Sequence, residues 1–468
     1  MKRNILILFS VLAYIPAVAQ SIQQRIDKAM QLLLKDEQMK HASVSLNVVE
    51  TATGKTVYAF NEQTGLAAAS TQKIFTSIAS FDVLGKDYRF KTAVSYDGSI
   101  QANVLNGNIY ITGYGDPTLG SDRFNNGNAF IDQLVAALRA KGISSINGSI
   151  YADASKFENN PVPDGWIWQD IGNYYGAGCW AINWNENAYG VQLKSGKNIG
   201  DTVEVTAFFP PQEMMSYNNE LTSAAAGSGD NAYVYTSPYS QVAMINGTIP
   251  VNERKFNIRG AVTDGPAYLL KSIAIGLDKN GIKHTGDFKT SFDALLYEKP
   301  LSYKATNLFT YYSPTLDSVT YWFLQKSINL YGEALMKTMA YEQTGLGSTQ
   351  NGLKILNDFW SSKGIDPYSL NIMDGSGLSP QNRVTTNALV TALQYAKGQP
   401  WYNSFYNALP TYNGMKMKSG TIGGARGFTG YHTAKSGSTY TFAIIINNYD
   451  DSKGSITSKM FMLLDELK

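Results

Sequence analysis

The period of the apolar positions changes several times along the chain, and each change predicts an element. Polar and apolar residues alternate in a helix-like way over residues 22–34. The stretches ASVSLNVVE and KTVYAF, on either side of a turn at Thr53-Gly54, then read as strands. From Ser70 the period lengthens: Ile74, Ile78 and Phe81 fall at helical spacing and Gly85 offers a stop, which puts Ser70 in the first turn of a helix. Residues 313–337, SPTLDSVTYWFLQKSINLYGEALMK, predict helix, break, helix. Near the carboxyl end GFTGYHTAKSGSTYTFAIIINN predicts two strands about a glycine turn, and SKMFMLLDELK a closing helix.

Between these ends the texture differs. Residues 92–298 are rich in Gly, Asn and Tyr and carry short strand signals. They contain an echo: FIDQLVAALRAKGISSINGSI (130–150) and AYLLKSIAIGLDKNGIKHTGDF (267–288) both run an amphipathic helix into Leu-x-x-x-Gly-Ile and then a strand. Two such units predict an inserted, mostly β region with its own sheet. The expected organisation is therefore a leader over 1–19, a first segment over 20–91, the insert over 92–298, and a second segment over 299–468.

The leader is inferred from Met-Lys-Arg-Asn, an apolar run over 5–15, and Ala17-Val18-Ala19 before Gln20, the layout of a cleavable export signal. Its apolar run is shorter than the ~20 residues that span a bilayer, and no cysteine follows to take a lipid. A soluble protein outside the cytoplasm is expected, in the periplasm. The formal charge is +2, and loss of Lys2 and Arg3 with the leader brings it to about zero. That argues against nucleic acid as a partner, since polyanion binding needs clustered basic charge. Cys179 is the only cysteine, so no internal disulfide can form, and His41, His284 and His432 lie too far apart for a zinc site. Neither a metal nor an organic cofactor is expected.

Against this background one tetrapeptide carries chemistry. Ser70-Thr71-Gln72-Lys73 is the single Ser-x-x-Lys in the chain. Residues three apart on a helix are neighbours, so the lysine amine could take the serine proton if desolvation keeps it neutral. A relay and an amide ligand would be supplied by Ser-x-Asn, which occurs at Ser45, Ser145, Ser216, Ser327 and Ser369. Ser327-Ile328-Asn329 is favoured because it falls at the break between two helices. Lys-Ser-Gly occurs three times, at Lys194, Lys418 and Lys435. Lys418-Ser419-Gly420-Thr421 enters a strand hairpin, where its lysine and hydroxyls can hold a carboxylate beside a sheet edge. Lys435-Ser436-Gly437-Ser438 reads as the hairpin turn itself.

In this order the three boxes resemble the serine β-lactamase and penicillin-binding protein set. The chain resembles one branch in particular, the D-alanyl-D-alanine carboxypeptidase/endopeptidase family of low-molecular-mass class C penicillin-binding proteins. The added likeness lies in GNIYITGYGDPTL, YGAGCWAINWNENAYGVQL, SPTLDSV, SINLYGEAL and DGSGLSPQN. The resemblance implies an α+β fold: a β-lactamase/transpeptidase-like catalytic domain, with an antiparallel sheet flanked by helices, split by the insert. It implies hydrolysis of D-alanyl bonds in peptidoglycan stem peptides and covalent inhibition by β-lactams. By position Ser70 would be the nucleophile, Lys73 its base, Ser327 the relay and Asn329 a ligand of the substrate amide. Lys418 and Ser419 would bind the terminal carboxylate, and the N–H groups of Ser70 and Thr421 would form the oxyanion hole. Asp170 in GWIWQDI would meet a side-chain amine of the substrate.

Two departures stand out: Ser419 replaces a common threonine, and Pro380 stands where many relatives carry arginine. A β-lactamase or esterase on the same scaffold, and a wall-binding or β-lactam-sensing protein that acylates and stalls, remain as alternatives. With every assigned catalytic group outside it, the insert is expected to add little to the chemical step and to contact wall polymer or partner proteins.

Overall fold

The computed structural model describes residues 20–124, 127–211 and 216–468, so the expected leader over 1–19 lies outside the described residues. Six antiparallel strands form the sheet of the first and last segments. Their order is Thr56–Phe60, Ser43–Glu50, Thr439–Asn447, Ala425–Thr433, Met415–Ile422 and Thr411–Tyr412. First and last segments thus join at the sheet centre, where Leu46 pairs with Ile444. Strand alternation then decides what each face buries. Val44, Leu46, Val48, Ile444 and Ile446 face the helices Ile22–Leu34 and Ile456–Leu464 in one core. Val49, Ala443 and Ile445 face a larger core on the other side, with helices Lys73–Val83, Asn329–Thr344 and Thr386–Lys397.

Local signals account for these helices. Ile22–Leu34 starts at a capping box in which Ser21 and Gln24 bond each other's backbone N–H. Lys73–Val83 buries Ile74, Phe75, Ile78 and Phe81 almost completely, each worth roughly 1.5–3 kcal/mol of transfer free energy. The expected break between Leu316–Lys326 and Asn329–Thr344 falls at Ser327, whose backbone is left-handed with φ 58°.

The middle of the chain has its own core and several sheets. The two echoing units lie side by side. Helices Ala129–Ala140 and Gly265–Lys279 pack together so closely that a Cβ on Gly276 would sit 2.3 Å from the Ile131 side chain. The strands that follow them pair in parallel, Lys283 with Ser145 and Phe288 with Ile150. The larger sheet runs Phe288–Thr290, Ile150–Asp153, Ile109–Gly113, Lys91–Tyr96, Thr306–Tyr312, so its last strand comes from beyond residue 298.

Candidate active site

Ser70 sits in a single 3-10 turn, Ala69–Gln72, that runs into the helix Lys73–Val83. The turn is held from several sides. Asn447, at the end of a central strand, receives a hydrogen bond from the Ala67 N–H at 2.7 Å and returns one to the Ala67 carbonyl at 3.0 Å. Gln72 donates to the backbone and side chain of Asp374. Ala69 is left-handed at φ 48°, a conformation that costs about 1–2 kcal/mol for a residue with a Cβ. The cost is borne where the chain must turn the serine toward the cleft.

Lys73 is fully buried. Its Nζ donates to Ser70 Oγ at 3.0 Å, to Asn329 Oδ1 at 2.6 Å and to the Ser376 carbonyl at 2.6 Å. Burial brings its amine down to about 7, against the pull of Asp374 and Glu333, whose negative charge favours the ammonium. The two carboxyls are not equivalent. Asp374 accepts from Gln72, Trp166 Nε1, the N–H groups of Gly377 and Ser379, and Asn382, all within 3.1 Å. Glu333 is fully buried with one backbone donor, Gly375 at 3.0 Å. Burial and the nearby Asp374 push its carboxyl up to about 8.

Strand Met415–Ile422 forms the opposite wall. Its outer neighbour Thr411–Tyr412 pairs only as far as Lys416, so from Lys418 onward that edge has no strand partner among the described residues. Gly420 lies against the Ser70 turn: a Cβ there would sit 2.5 Å from the Ala68 carbonyl, 2.8 Å from the Thr71 N and 2.9 Å from the Ser70 N. Lys418 is buried, and its Nζ donates to the Ser419 carbonyl at 2.8 Å. Burial lowers its amine well below the ordinary lysine value, and the charges of Lys73 and Arg426 add to the shift. Thr421 Oγ1 accepts from Arg426.

Ser70, Ser327, Asn329, Thr421 and Asp170 line one cleft of about 800 Å³, with Pro380 on its rim. Lys73 lies beneath Ser70. Asp170, on the short helix Trp168–Ile171, is half-buried, and burial raises its carboxyl while a bond from Tyr175 opposes the shift. The other Ser-x-Asn copies go elsewhere. Ser45 lies in the central strand, bonded to Thr386 Oγ1 at 2.7 Å, and neither Ser145, Ser216 nor Ser369 lines the cleft. Lys435 sits beside the hairpin turn around Gly437, outside the cleft.

The insert is closer to this site than the sequence led us to expect. Asn329 donates its amide to the Tyr175 carbonyl at 2.7 Å, and Trp166 reaches Asp374 at 2.9 Å. Tyr331 donates to Glu186 at 2.9 Å. Buried Lys337 pairs with Glu158 at 3.1 Å and donates to the Asn160 carbonyl at 2.8 Å. The insert therefore grips the helix Asn329–Thr344 along its length and builds one wall of the cleft. A backbone carbonyl such as that of Tyr175 has no sequence signature. Glu333 had one, since it follows Asn329 by four residues on the same helix face.

A buried lysine against a serine at a helix start, a second hydroxyl at a helix break, and an open strand edge bearing a second lysine are what a Ser-Lys acyl-transfer enzyme of the penicillin-binding type requires. The comparisons agree. A family model described as D-Ala-D-Ala carboxypeptidase 3 (S13) matches residues 26–413, and the chain belongs to that family. It is 25% identical over 466 residues to a D-alanyl-D-alanine carboxypeptidase of Actinomadura sp. (strain R39), covering 93% of this chain and 84% of the relative. It is 27% identical over 421 residues to the D-alanyl-D-alanine carboxypeptidase DacB of Haemophilus influenzae, covering 86% and 84%. The fold matches the crystal structure of penicillin binding protein 4 from Haemophilus influenzae with a TM-score of 0.77 at 23% identity, over 94% of this chain and 97% of that one.

Proposed function

We propose that this chain is a serine-type D-alanyl-D-alanine carboxypeptidase/endopeptidase that cleaves D-alanyl bonds of peptidoglycan stem peptides through an acyl-enzyme. The observation that carries the reading is the buried Lys73 amine, 3.0 Å from Ser70 Oγ and held down to about 7. At neutral pH a large fraction of it is neutral, as a base must be.

Ser70 Oγ attacks the carbonyl of the penultimate D-alanine and its proton passes to Lys73. The N–H groups of Ser70 and Thr421 receive the oxyanion. As the C–N bond breaks, the proton travels by way of Ser327 to the departing amine, and water then hydrolyses the ester with the same groups acting in reverse. The substrate backbone lies along the open edge beyond Lys418, its amide meets Asn329, and its terminal carboxylate meets Lys418 and Ser419. That carboxylate favours the ammonium form of Lys418. A charged Lys418 in turn favours neutral Lys73, so binding the correct end prepares the base. Asp170 faces a side-chain amine of the stem peptide.

A structure of the Haemophilus influenzae protein in complex with a β-lactam supports covalent inhibition here too. Residues 20–91 and 299–468 form the catalytic domain and 92–298 the insert, with Thr306–Tyr312 lending a strand to the insert's sheet. No helix among the described residues is long and apolar enough to cross a membrane, and the protein acts after export, in the periplasm. The test is incubation with muropeptides followed by mass spectrometry, beside a time course with fluorescent penicillin. Release of D-alanine or of cross-linked strands with persistent label supports the reading. Fast label loss would replace it with a β-lactamase, and persistent label without cleavage with a sensor.

A further inference from the structure

Beside the cleft, the insert presents apolar side chains that the described residues leave largely open to solvent. Trp168 is 53% exposed, Tyr174 51% and Ile167 42%. All three belong to the segment that reaches Asp374 through Trp166 and Asn329 through the Tyr175 carbonyl. Ile167 and Tyr174 line the cleft mouth, and Trp168 lies just outside it.

The base under these rings is rigid. Asn173 donates to the Gln169 carbonyl at 2.7 Å and accepts from the Val234 N–H at 3.0 Å, tying the short helix to strand Asn231–Tyr235. A Cβ on Gly172 would sit 2.0 Å from the Val234 carbonyl, and one on Gly176 2.0 Å from that of Asp170. Trp168 has Tyr235 beside it at a centroid distance of 6.0 Å, and the Arg259 guanidinium lies 5.4 Å over the Tyr174 ring. Apolar area held outward on a fixed frame marks a binding surface.

Charge narrows the occupant. Lys337 pairs with Glu158 and Arg123 with Glu186, so the charges left beside the rings are mixed, Asp164 and Asp170 against Arg259 and Lys326. Such a balanced set lacks the polybasic cluster that holds an anionic lipid surface. A neutral ligand with C–H faces and polar edges fits rings interleaved with Gln169, Asp170 and Arg259. Sugar rings have that chemistry, and the stem peptide carried by the cleft is attached to sugars in its polymer.

We propose that Trp168, with Ile167 and Tyr174, forms a platform on which the glycan attached to the stem peptide stacks, so that the enzyme selects peptides still carried on sugar. The inference rests on the carboxypeptidase reading and extends it. Its test compares wild type, Trp168→Ala and Trp168→Phe on a free stem pentapeptide and on the same peptide carried by an N-acetylglucosamine–N-acetylmuramic acid oligomer. Trp168→Ala should keep penicillin acylation and free-peptide turnover within twofold while losing at least fivefold in kcat/KM on the glycan-borne peptide, through KM. Trp168→Phe should recover most of that loss. Peptide-free glycan oligomers should bind wild type and not Trp168→Ala. Equal handling of the glycan-borne peptide by wild type and Trp168→Ala, or Trp168-dependent binding to lipid vesicles instead of glycan, would overturn the platform. Wild type that cleaves neither peptide would overturn the carboxypeptidase reading instead.

Discussion

A methyl group on Gly420 should disable the site without unfolding the protein. Its Cβ would meet three backbone atoms of the nucleophile turn, at 2.5, 2.8 and 2.9 Å, where ordinary contact begins at 3.4 Å. None is the end of a flexible side chain, and the Asn447 clamp fixes the turn from the far side. Strand and turn must separate by about 0.5–0.9 Å, and a displacement near 1 Å costs roughly a hundredfold in rate. Gly420→Ala should therefore lose about 30- to 100-fold in the second-order rate of penicillin acylation, with a stability loss of about 1–3 kcal/mol from overpacking. Gly437, in Lys435-Ser436-Gly437-Ser438, is the control. It is left-handed at φ 87° with nothing within 4 Å of its Cβ position, so Gly437→Ala should cost about 1 kcal/mol of backbone strain and leave acylation intact. Acylation of folded Gly420→Ala within threefold of wild type would refute the reasoning.

Three further outcomes follow from the site. Acylation should fall about tenfold per pH unit below about 7, because the Lys73 amine is protonated as pH drops through its lowered value; a flat profile from pH 8 to 5, with acylation limiting, contradicts this. Lys418→Ala removes a charge-assisted contact worth roughly 1.5–3 kcal/mol and should slow acylation about ten- to a hundredfold, whereas Lys435→Ala should leave acylation alone and shift stability by at most about 0.5 kcal/mol; equal losses would mean the two lysines have been assigned wrongly. Ser327→Ala and Ser327→Gly should both lose acylation, but the glycine variant should melt higher by about 1 kcal/mol of stability because it relieves the left-handed backbone at φ 58°.

Much of the catalytic domain was legible because its signals are local. The spacing of Ile74, Ile78 and Phe81 announces a helix that buries them, and the apolar rhythm over residues 313–337 announces the break that Ser327 occupies. The Lys-Ser-Gly copies at Lys418 and Lys435 separate because one enters a strand and the other makes a turn. What stayed hidden depends on contacts between distant residues. Thr306–Tyr312 pairs with Lys91–Tyr96 across the whole insert, and no local pattern marks such a partner. Asp374 stands in DGSGLSPQN, yet its five donors come from three separated stretches: Gln72, Trp166 of the insert, and its own loop at Gly377, Ser379 and Asn382.

The contacts of helix Asn329–Thr344 turn the insert from a bystander into part of the catalytic fold, and a deletion tests this. Asn329, Glu333 and Lys337 recur every four residues and form one polar stripe through the interior. Excising 92–298 removes Glu158 and the Asn160 carbonyl from Lys337, whose side chain is fully buried. A buried charge stripped of its partner costs about 3–5 kcal/mol. Tyr331 loses Glu186, Asn329 loses the Tyr175 carbonyl, and Asp374 loses Trp166, at about 1–3 kcal/mol for each group left buried and unpaired. Together these approach the whole stability of an ordinary domain, about 5–15 kcal/mol. The excised chain, closed by a short linker, should show no cooperative melt and take no penicillin label. If it folds and is acylated by a small β-lactam at the wild-type rate, the stripe does not depend on the insert, and the grip on this helix is incidental to the chemistry.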